Sequence, residues 1–479
     1  MSYKVNHLHT EYQDWATKAG KCRTFMAGED AIKKEAETYL PRLSGQTIQE
    51  YRQMKDRTMF YAAAKRTKMA LSGAIHRKDA VVSIDAGYED YLKDITLTNT
   101  PFNVFAKDAT DEILVTGRFV ICTDWDEGMQ RPYLRGYNGE SLINFRYANH
   151  YGKQILTLAV LQETKETESD SDPFTTEYVT CYRVKVLING IYHDQLYAPT
   201  DKKGSKFELV QDIVPSRNGA PLNFIPITVV NTNNISCYFE ESMLNDLVDL
   251  NRSHYLSAAD IGIVLHFSAL PTLTITGVTT MEDSEPIRLG STNSIILPPG
   301  ATASILEFSG ASSTAIRQHL QDLENRMATL GARLLQTAQI SPATSTAEII
   351  KAASETTALR ALAQNLDTGL EQAISQMIWW SGVDTPTVDV NLNKDFLSSK
   401  LSPSELTSLS DAYLKGALNA ESYFSALSTG EMIPANIDKD AEIKRLENMN
   451  LNTDGMNVRS QRNQGPDTAI QAKANNSIQ

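Results

Sequence analysis

Residues 311–382 constrain the fold more than any other stretch of this chain. Ile316, Leu320, Leu323, Met327, Leu330 and Leu334 recur at helical intervals, drawing an apolar stripe along one helix face. Thr337–Ser345 interrupts the pattern. Pro342 removes a backbone donor and biases Ser341 away from helical dihedrals, so one continuous helix is not expected. A second helix then has its own start signal: Ser345-Thr346-Ala347-Glu348 fits a capping box, with Ser345 as N-cap and Glu348 reaching back. Leu359, Leu362, Leu366, Leu370, Ile374 and Ile378 carry that helix to a stop near Gly382. Two helices of this length need partners along most of their surface.

The flanking segments follow a definite order. Residues 1 to about 80 read as helical, with one helix closing at Tyr39-Leu40-Pro41 and a longer one running from Thr47 to Leu71. The latter carries Arg52, Lys55, Arg57, Lys65, Arg66 and Lys68, which makes it the best electrostatic candidate for touching nucleic acid. A solvated face or a subunit contact explains such a charge run equally simply. From about 80 to 235 the periodicity turns to β. Arg118–Asp124 is a short buried-strand pattern, and Ile155–Leu161 and Tyr178–Leu187 are the clearest strands. Asn189-Gly190 then turns the chain into Ile191–Tyr197. Glu163–Asp172 reads as a solvated hairpin tip, and Asp124–Gly128 as a turn; neither has the ligand periodicity of a calcium loop. Pro221–Val230 is an edge or entry strand, demoted by its prolines.

Glu241–Phe267 is a further long helix, striped by Leu244, Leu247, Val248, Tyr255, Ile261 and Leu265 and closed by Leu270-Pro271. Four short strand candidates follow, at Thr272–Thr276, Pro286–Leu289, Ser294–Leu297 and Ala303–Leu306, punctuated by Gly and Pro. A small β module is thus inserted between two long helices, and its ends must be close if those helices run antiparallel. Val388–Leu392 reads as one more strand. Ser402-Pro403-Ser404-Glu405 opens a set of short helices reaching to about Asn448.

Composition excludes several classes. At 479 residues the chain exceeds a single compact core. A formal charge of −13 disfavours a protein that grips duplex DNA, though not one past which DNA must slide. The four cysteines lie far apart with no CxxC spacing and read as plain buried thiols in a reducing compartment. The N-terminus has no apolar core of a secretory signal, and the longest apolar runs are too short to span a bilayer. Catalytic patterns are missing as well. No phosphate loop, no Gly-x-Ser-x-Gly elbow and no His-Glu-x-x-His helix occurs, and the eight histidines are dispersed. His7 and His9 form the one close pair. His254, His266 and His319 lie on expected helices as packed or interfacial residues, and Trp379-Trp380 reads as core or interface. No catalytic residue, metal site or cofactor is expected, and no enzymatic activity.

The order of parts, together with local residues, resembles the portal (head-to-tail connector) proteins of tailed bacteriophages. Tyr39-Leu40-Pro41, Asp124, Arg131-Pro132-Tyr133, Pro226, Leu306–Gly310, Leu323–Leu335 and Thr344–Glu348 are similar to a subgroup of podovirus-type and prophage portals. The resemblance runs from about Trp15 to Leu446 and is weakest in the acidic hairpin and the tail. It implies an α+β, portal-type fold with wing, stem helices, an inserted β-rich clip, a long wing helix and a helical crown. Residues 1–240 would be the wing, 241–270 the first stem helix, 271–310 the clip and 311–336 the second stem helix. Residues 337–345 would form the channel loop, 346–395 the long wing helix and a strand, 396–450 the crown, and 451–479 a disordered tail.

The function implied is a ring of about twelve subunits at one capsid vertex, a closed assembly in which each subunit offers two different faces. Double-stranded DNA would pass through its channel during packaging and ejection. The implied partners are the large terminase, the major capsid and scaffolding proteins and a tail adaptor, with assembly in the host cytoplasm and a final place in the virion. Arg317, Arg326, Arg333, Gln336, Gln339, Ser341, Pro342 and Thr344 become the candidates for weak, exchangeable DNA contacts. For each Arg an intersubunit ion pair is the simpler alternative. Thr276, Glu282, Asp283, Glu285 and Arg288, in the clip, become the candidates for docking terminase or adaptor. A different phage head-tail or adaptor protein is the alternative reading.

Overall fold

A computed structural model describes residues 4–169, 172–200, 206–269, 272–277, 299–306, 311–335, 346–394, 396, 403–429, 432–433, 441 and 444–445. The chain divides into two compact units, Met1–Lys394 and Asp395–Gln479. The fold is α+β.

The first unit opens with helices α1 (Tyr12–Ala27), α2 (Glu29–Lys34), α3 (Ile48–Arg57) and α4 (Ala63–Ile75). The expected single helix from Thr47 to Leu71 is in fact α3 and α4, broken at 58–62. Thr47 starts α3 with a capping box: its side chain accepts from the Glu50 amide, and the Glu50 carboxylate accepts from the Thr47 amide. At Thr58 the backbone turns extended and the side chain bonds back to the Met54 carbonyl. Asn251, from a distant helix, satisfies both sides of the break: its Nδ2 donates to the Tyr61 carbonyl at 2.8 Å, and its Oδ1 accepts from the Ala64 amide at 3.1 Å. The break is a tertiary feature, invisible to helix propensity.

Strand β1 (Val81–Ser83) leads to α5 (Phe102–Thr116). Pro101 precedes α5, and Gly117 ends it in the left-handed conformation (φ 90°). The chain then enters β2 (Arg118–Asp126) and β3 (Arg131–Asn138), followed by β4 (Leu142–His150), β5 (Lys153–Ser169), β6 (Asp172–Ile188), β7 (Ile191–Pro199) and β8 (Phe207–Ile213). The last five form one antiparallel meander in the order β4-β5-β6-β7-β8. Tyr151-Gly152 and Asn189-Gly190 make its tight turns, both residues of each pair at positive φ, which matches the twist of the strands they join. Sequence patterning had named neither β3 nor β4. It also ended β2 too early, since that strand runs on to Asp126.

A small ribbon, β9 (Ser216–Arg217) with β10 (Ala220–Pro221), precedes β11 (Ile227–Asn231). As expected, β11 is an edge: a three-stranded sheet runs β11-β2-β3. Residues Arg118–Thr123 of β2 are all buried, because α5 packs on this sheet and the helix of residues 346–380 packs on it as well.

Helix α6 (Asn245–Ala269), strands β12 (Thr272–Thr276) and β13 (Thr302–Leu306), and helices α7 (Ala311–Leu335) and α8 (Thr346–Trp380) complete the central part. β12 pairs antiparallel with β13, Thr272 opposite Leu306, so the ends of the inserted module are adjacent as anticipated. α6 packs on α7. The candidate strands Pro286–Leu289 and Ser294–Leu297 lie outside the described residues. β14 (Asp389–Asn391) pairs antiparallel with β1. Its placement is held from α8: the Asp367 carboxylate accepts from the Leu392 amide and pairs with Lys394, and Glu371 accepts from the Val390 amide. The second unit contains α9 (Pro403–Leu414) and α10 (Ala420–Thr429), joined by stacking of Tyr413 on Tyr423 at 4.5 Å.

The apolar stripe of α8 finds its partner inside its own chain. Leu359, Leu362, Leu366, Leu370, Ile374 and Ile378 are all buried, against β11, β2, β3 and β14. Gly369 permits the closest approach, since a Cβ there would meet Val230 at 2.2 Å. Neighbouring copies are therefore not needed to cover residues 359–378. Trp380 closes the end, buried with its indole donating to the Ser216 carbonyl, and Trp379 packs on Phe224 with the Arg217 guanidinium over its ring. Both are core residues.

Candidate channel and docking elements

The helical hairpin α6–α7 with β12–β13 at one end carries the candidates among the described residues, Arg317, Arg326, Arg333 and Thr276. Its two helices are held by a side chain from each: His254, buried on α6, meets Glu324 of α7 at 3.3 Å. On α7 only part of the stripe is deeply covered. Leu323 and Met327 are buried, Ile316, Leu320 and Leu330 half-buried. Gly331 lets α4 come close, because a Cβ there would meet Thr67 Oγ1 at 2.8 Å. Among the described α7 side chains, Gln318, His319, Gln321, Asn325 and Arg326 are polar and exposed.

The described candidates do not all converge. Arg317 and Arg326 are both exposed. They are nine residues apart, which on a regular helix places them about 180° from one another around the axis. Arg333 follows Arg326 by two turns and shares its stripe. One straight helix face therefore accommodates Arg326 and Arg333 but not Arg317. Thr276 is exposed on β12 and hydrogen-bonded side chain to side chain with Thr302 at 2.8 Å. Gln336, Gln339, Ser341, Pro342 and Thr344, the N-cap Ser345, and the clip residues Glu282, Asp283, Glu285 and Arg288 lie outside the described residues.

The basic segment of α3 and α4 is partly consumed within the chain. Lys68 pairs with Asp111 at 3.0 Å, Lys65 donates to the Ala27 carbonyl, and Arg57 meets His266 at 3.0 Å. Arg52 remains exposed, and Arg66 lies over the Tyr61 ring.

Sequence reasoning missed a buried ion cluster behind the sheets. Lys185, on β6, has no exposure; its ammonium meets Asp124 at 2.6 Å, Asp194 at 3.1 Å and the Tyr192 hydroxyl at 3.0 Å. Arg183 joins Glu163 and Asp194, and the Tyr137 hydroxyl donates to Glu163. Thus Glu163 and Asp124, read as a solvated tip and a turn, are internal partners of cations. The signal lay in the alternation of β6, which puts Arg183 and Lys185 on one face. Burial pushes the Asp124 carboxyl up, but Lys185 outweighs it and holds the group below its ordinary value; Arg183 and Tyr137 do the same for Glu163. These groups serve the core. Among the described residues no cluster of three His, Cys, Asp or Glu side chains has metal-binding geometry. All four cysteines are buried free thiols.

Arg118 is the opposite case. It is fully buried, and none of its guanidinium nitrogens has a hydrogen-bond partner among the described residues. It is sandwiched by Trp15 and Phe239, 5.2 and 4.6 Å from the ring centroids. Burial pushes its guanidinium down to about 10. Ring stacking recovers about 2 kcal/mol, less than the several kcal/mol that desolvating an unpaired cation costs. Arg118→Met is accordingly expected to raise stability, by about 1–3 kcal/mol, in urea unfolding of the subunit. A loss of stability would show that the cation has a partner in solution.

Residues 243–381 match the family described as "Domain of unknown function (DUF4055)", which spans less than half of the chain. No curated protein matches the sequence. Among solved structures the chain is similar to one from the neck of an empty GTA particle computed with C6 symmetry, with 12% identity, TM-score 0.37, and coverage of 76% of this chain and 87% of that one. A chain from the virion of the native gene transfer agent (GTA) particle matches with 11% identity, TM-score 0.33, and 80% and 93% coverage. A HK97 family phage portal protein from Corynebacterium diphtheriae matches with 9% identity, TM-score 0.29, and 71% and 94% coverage.

Proposed function

We propose that this chain is a portal subunit of the podovirus or prophage type, without enzymatic activity. Copies assemble into a ring of about twelve at a capsid vertex, and the channel conducts double-stranded DNA during packaging and ejection. The observation that carries the reading is the succession α6, β12–β13, α7, α8. It is a pair of packed 25-residue helices, about 37 Å long, tipped by a β module and followed at once by a helix anchored in the body. The exposed polar side of α7 and the net charge of −13 favour a surface past which phosphate slides without lasting attachment. The Arg326 and Arg333 stripe of α7, with residues 337–345, faces the channel; Thr276 and the clip residues Glu282, Asp283, Glu285 and Arg288 meet the large terminase during packaging and the tail adaptor afterwards.

Deletion of Gln339–Thr344 tests the reading. Rings visible by negative-stain microscopy are expected to form as in the wild type, while packaged or retained DNA falls by about tenfold or more when the loop's weak, exchangeable contacts are gone. A deletion variant that fails to form rings would remove these residues from the channel. A wild-type chain that stays monomeric at high concentration, with and without scaffolding protein, would overturn the portal reading altogether.

A further inference from the structure

The five-stranded meander ends on two edges of opposite character. β8 is its last strand, and among the described residues no strand pairs with its outer side. Every residue of β8 after Phe207 is exposed, the apolar Leu209, Val210 and Ile213 among them. Leu209 stands opposite Tyr197 and Ile213 opposite Asp194, an odd number of positions apart on β7, so apolar side chains point out from both faces of the strand. β8 carries neither Lys nor Pro, the usual guards of an edge, and its irregularity is a register shift opposite Leu196 and Tyr197. An apolar edge of this kind is a template for another strand.

β4 is the other edge. The segment before α1 covers its start, where the His9 amide donates to the Ile143 carbonyl and Asn144 Nδ2 donates to the His7 carbonyl. From Phe145 to His150 no described strand lies along its outer side, and Arg146, Ala148, Asn149 and His150 are exposed. The two edges are complementary in charge. Residues 145–150 carry Arg146 and His150 with no carboxylate, whereas β8 carries Glu208 and Asp212 with no cation. Asp212 already meets His193 of its own sheet at 3.1 Å, which leaves Glu208 as the more available of the two.

We infer that β8 of one subunit pairs in parallel with residues 145–150 of β4 in its neighbour, joining the meanders of successive subunits around the ring. The inference rests on the ring assembly proposed above. A closed ring requires two unlike, complementary faces on every subunit, and the two edges of one sheet supply them. β4 and β8 are the first and fifth strands of an antiparallel meander, so they run in the same direction. In a ring of about twelve, neighbouring copies are rotated by about 30°, so β8 and the neighbour's β4 stay within that angle of parallel. That is close to the twist between adjacent strands of an ordinary sheet. The contact is about 20 Å long; it satisfies backbone groups of both edges and covers the apolar side chains of β8.

The test pairs cysteine crosslinking with an edge block in the full-length chain. Val210→Cys combined with Ala148→Cys, both at exposed positions, is treated with a short bismaleimide; the native thiols, all buried, do not compete. Within one subunit the two positions lie on the outermost strands of the sheet, about 19 Å apart, too far for the linker to close on itself. The expected result is a ladder of multimers on a denaturing gel from the double variant and none from either single variant. Val210→Lys, which sets a cation against the edge that carries Arg146, is expected to lower ring yield at limiting concentration by about tenfold while the urea midpoint of the subunit stays unchanged. Intact rings without the ladder, or an undiminished ring yield from Val210→Lys, overturn the pairing and leave the ring reading standing. A crosslinked dimer from Val210→Cys alone would assign β8 to a two-fold contact with another β8 and likewise overturn the inference. No rings from the wild type overturn both.

Discussion

Lys185→Met is expected to destabilise the subunit by about 3–5 kcal/mol. Methionine fills nearly the same volume, so the cost is electrostatic. Asp124 and Asp194, with side-chain exposures of 14% and 9%, lose the ammonium they share. Arg183 still reaches Asp194 at 3.1 Å, which leaves Asp124 as the abandoned charge. The pH dependence makes the mechanism checkable. In the wild type Lys185 holds the Asp124 carboxyl below its ordinary value, so the cluster's contribution is full above about pH 4 and is lost as pH falls through the lowered value. The Lys185 ammonium is held above its own ordinary value, so its contribution is full below about pH 10 and is lost only as pH rises beyond that. In Lys185→Met the burial of Asp124 is opposed only by the more distant Arg183 and Arg135, and its carboxyl moves upward. Its stability deficit should then shrink on acidification from pH 7 towards 5, while the wild type stays flat. Urea unfolding at several pH values reads both effects. A deficit that is the same at pH 5 and 7 would mean that packing, not charge, explains the loss.

The second large effect is expected from Gly117→Ala, at about 2–5 kcal/mol. Gly117 sits at φ 90° at the end of α5, where an L side chain is strained. Space is lacking too: a Cβ would stand 2.4 Å from the Glu240 carbonyl oxygen and 2.7 Å from the Glu241 carbonyl carbon, both backbone atoms that no rotamer change can remove. The Gly117 carbonyl in turn accepts from the Thr232 amide at 3.1 Å. One residue thus joins α5, β2, the end of the β11 region and the entry to α6. The measurement is the urea midpoint of Gly117→Ala beside Gly219→Ala, which has φ 80° but open space around its Cβ. A similar loss in both would reduce the effect to backbone strain alone.

Much of the fold was legible in local patterns because those patterns are local physics. The stop near Gly382, the Asn189-Gly190 turn and the edge position of β11 follow from dihedral limits and periodicity within a few residues. The Thr47–Leu71 helix was misjudged because what breaks it is Asn251, almost two hundred positions away in sequence. Glu163 and Asp124 were misjudged for a related reason. A carboxylate in an acidic run looks solvated until a cation on another strand is brought against it. Arg183 does this to Glu163 once β5 and β6 pair, and Lys185 to Asp124 only once the meander and the β11-β2-β3 sheet have closed together.

The candidate channel was legible as a segment, not as a surface. Spacing alone marks Arg317, Arg326 and Arg333 as residues of one helix, and helix geometry already separates Arg317 from the other two. By itself the sequence determined the acidic balance, the β character of residues 272–276 and 303–306 between two long helices, and the course of α7 and of α8 to its stop near Gly382, since each depends on neighbours along the chain. The tertiary structure alone decided that the stripe of α8 is buried against β11, β2 and β3, that α7 keeps a polar side open, and that β8 is left as an exposed edge of its sheet. Those outcomes depend on which distant surfaces meet, and burial is a property of that meeting rather than of any single stretch.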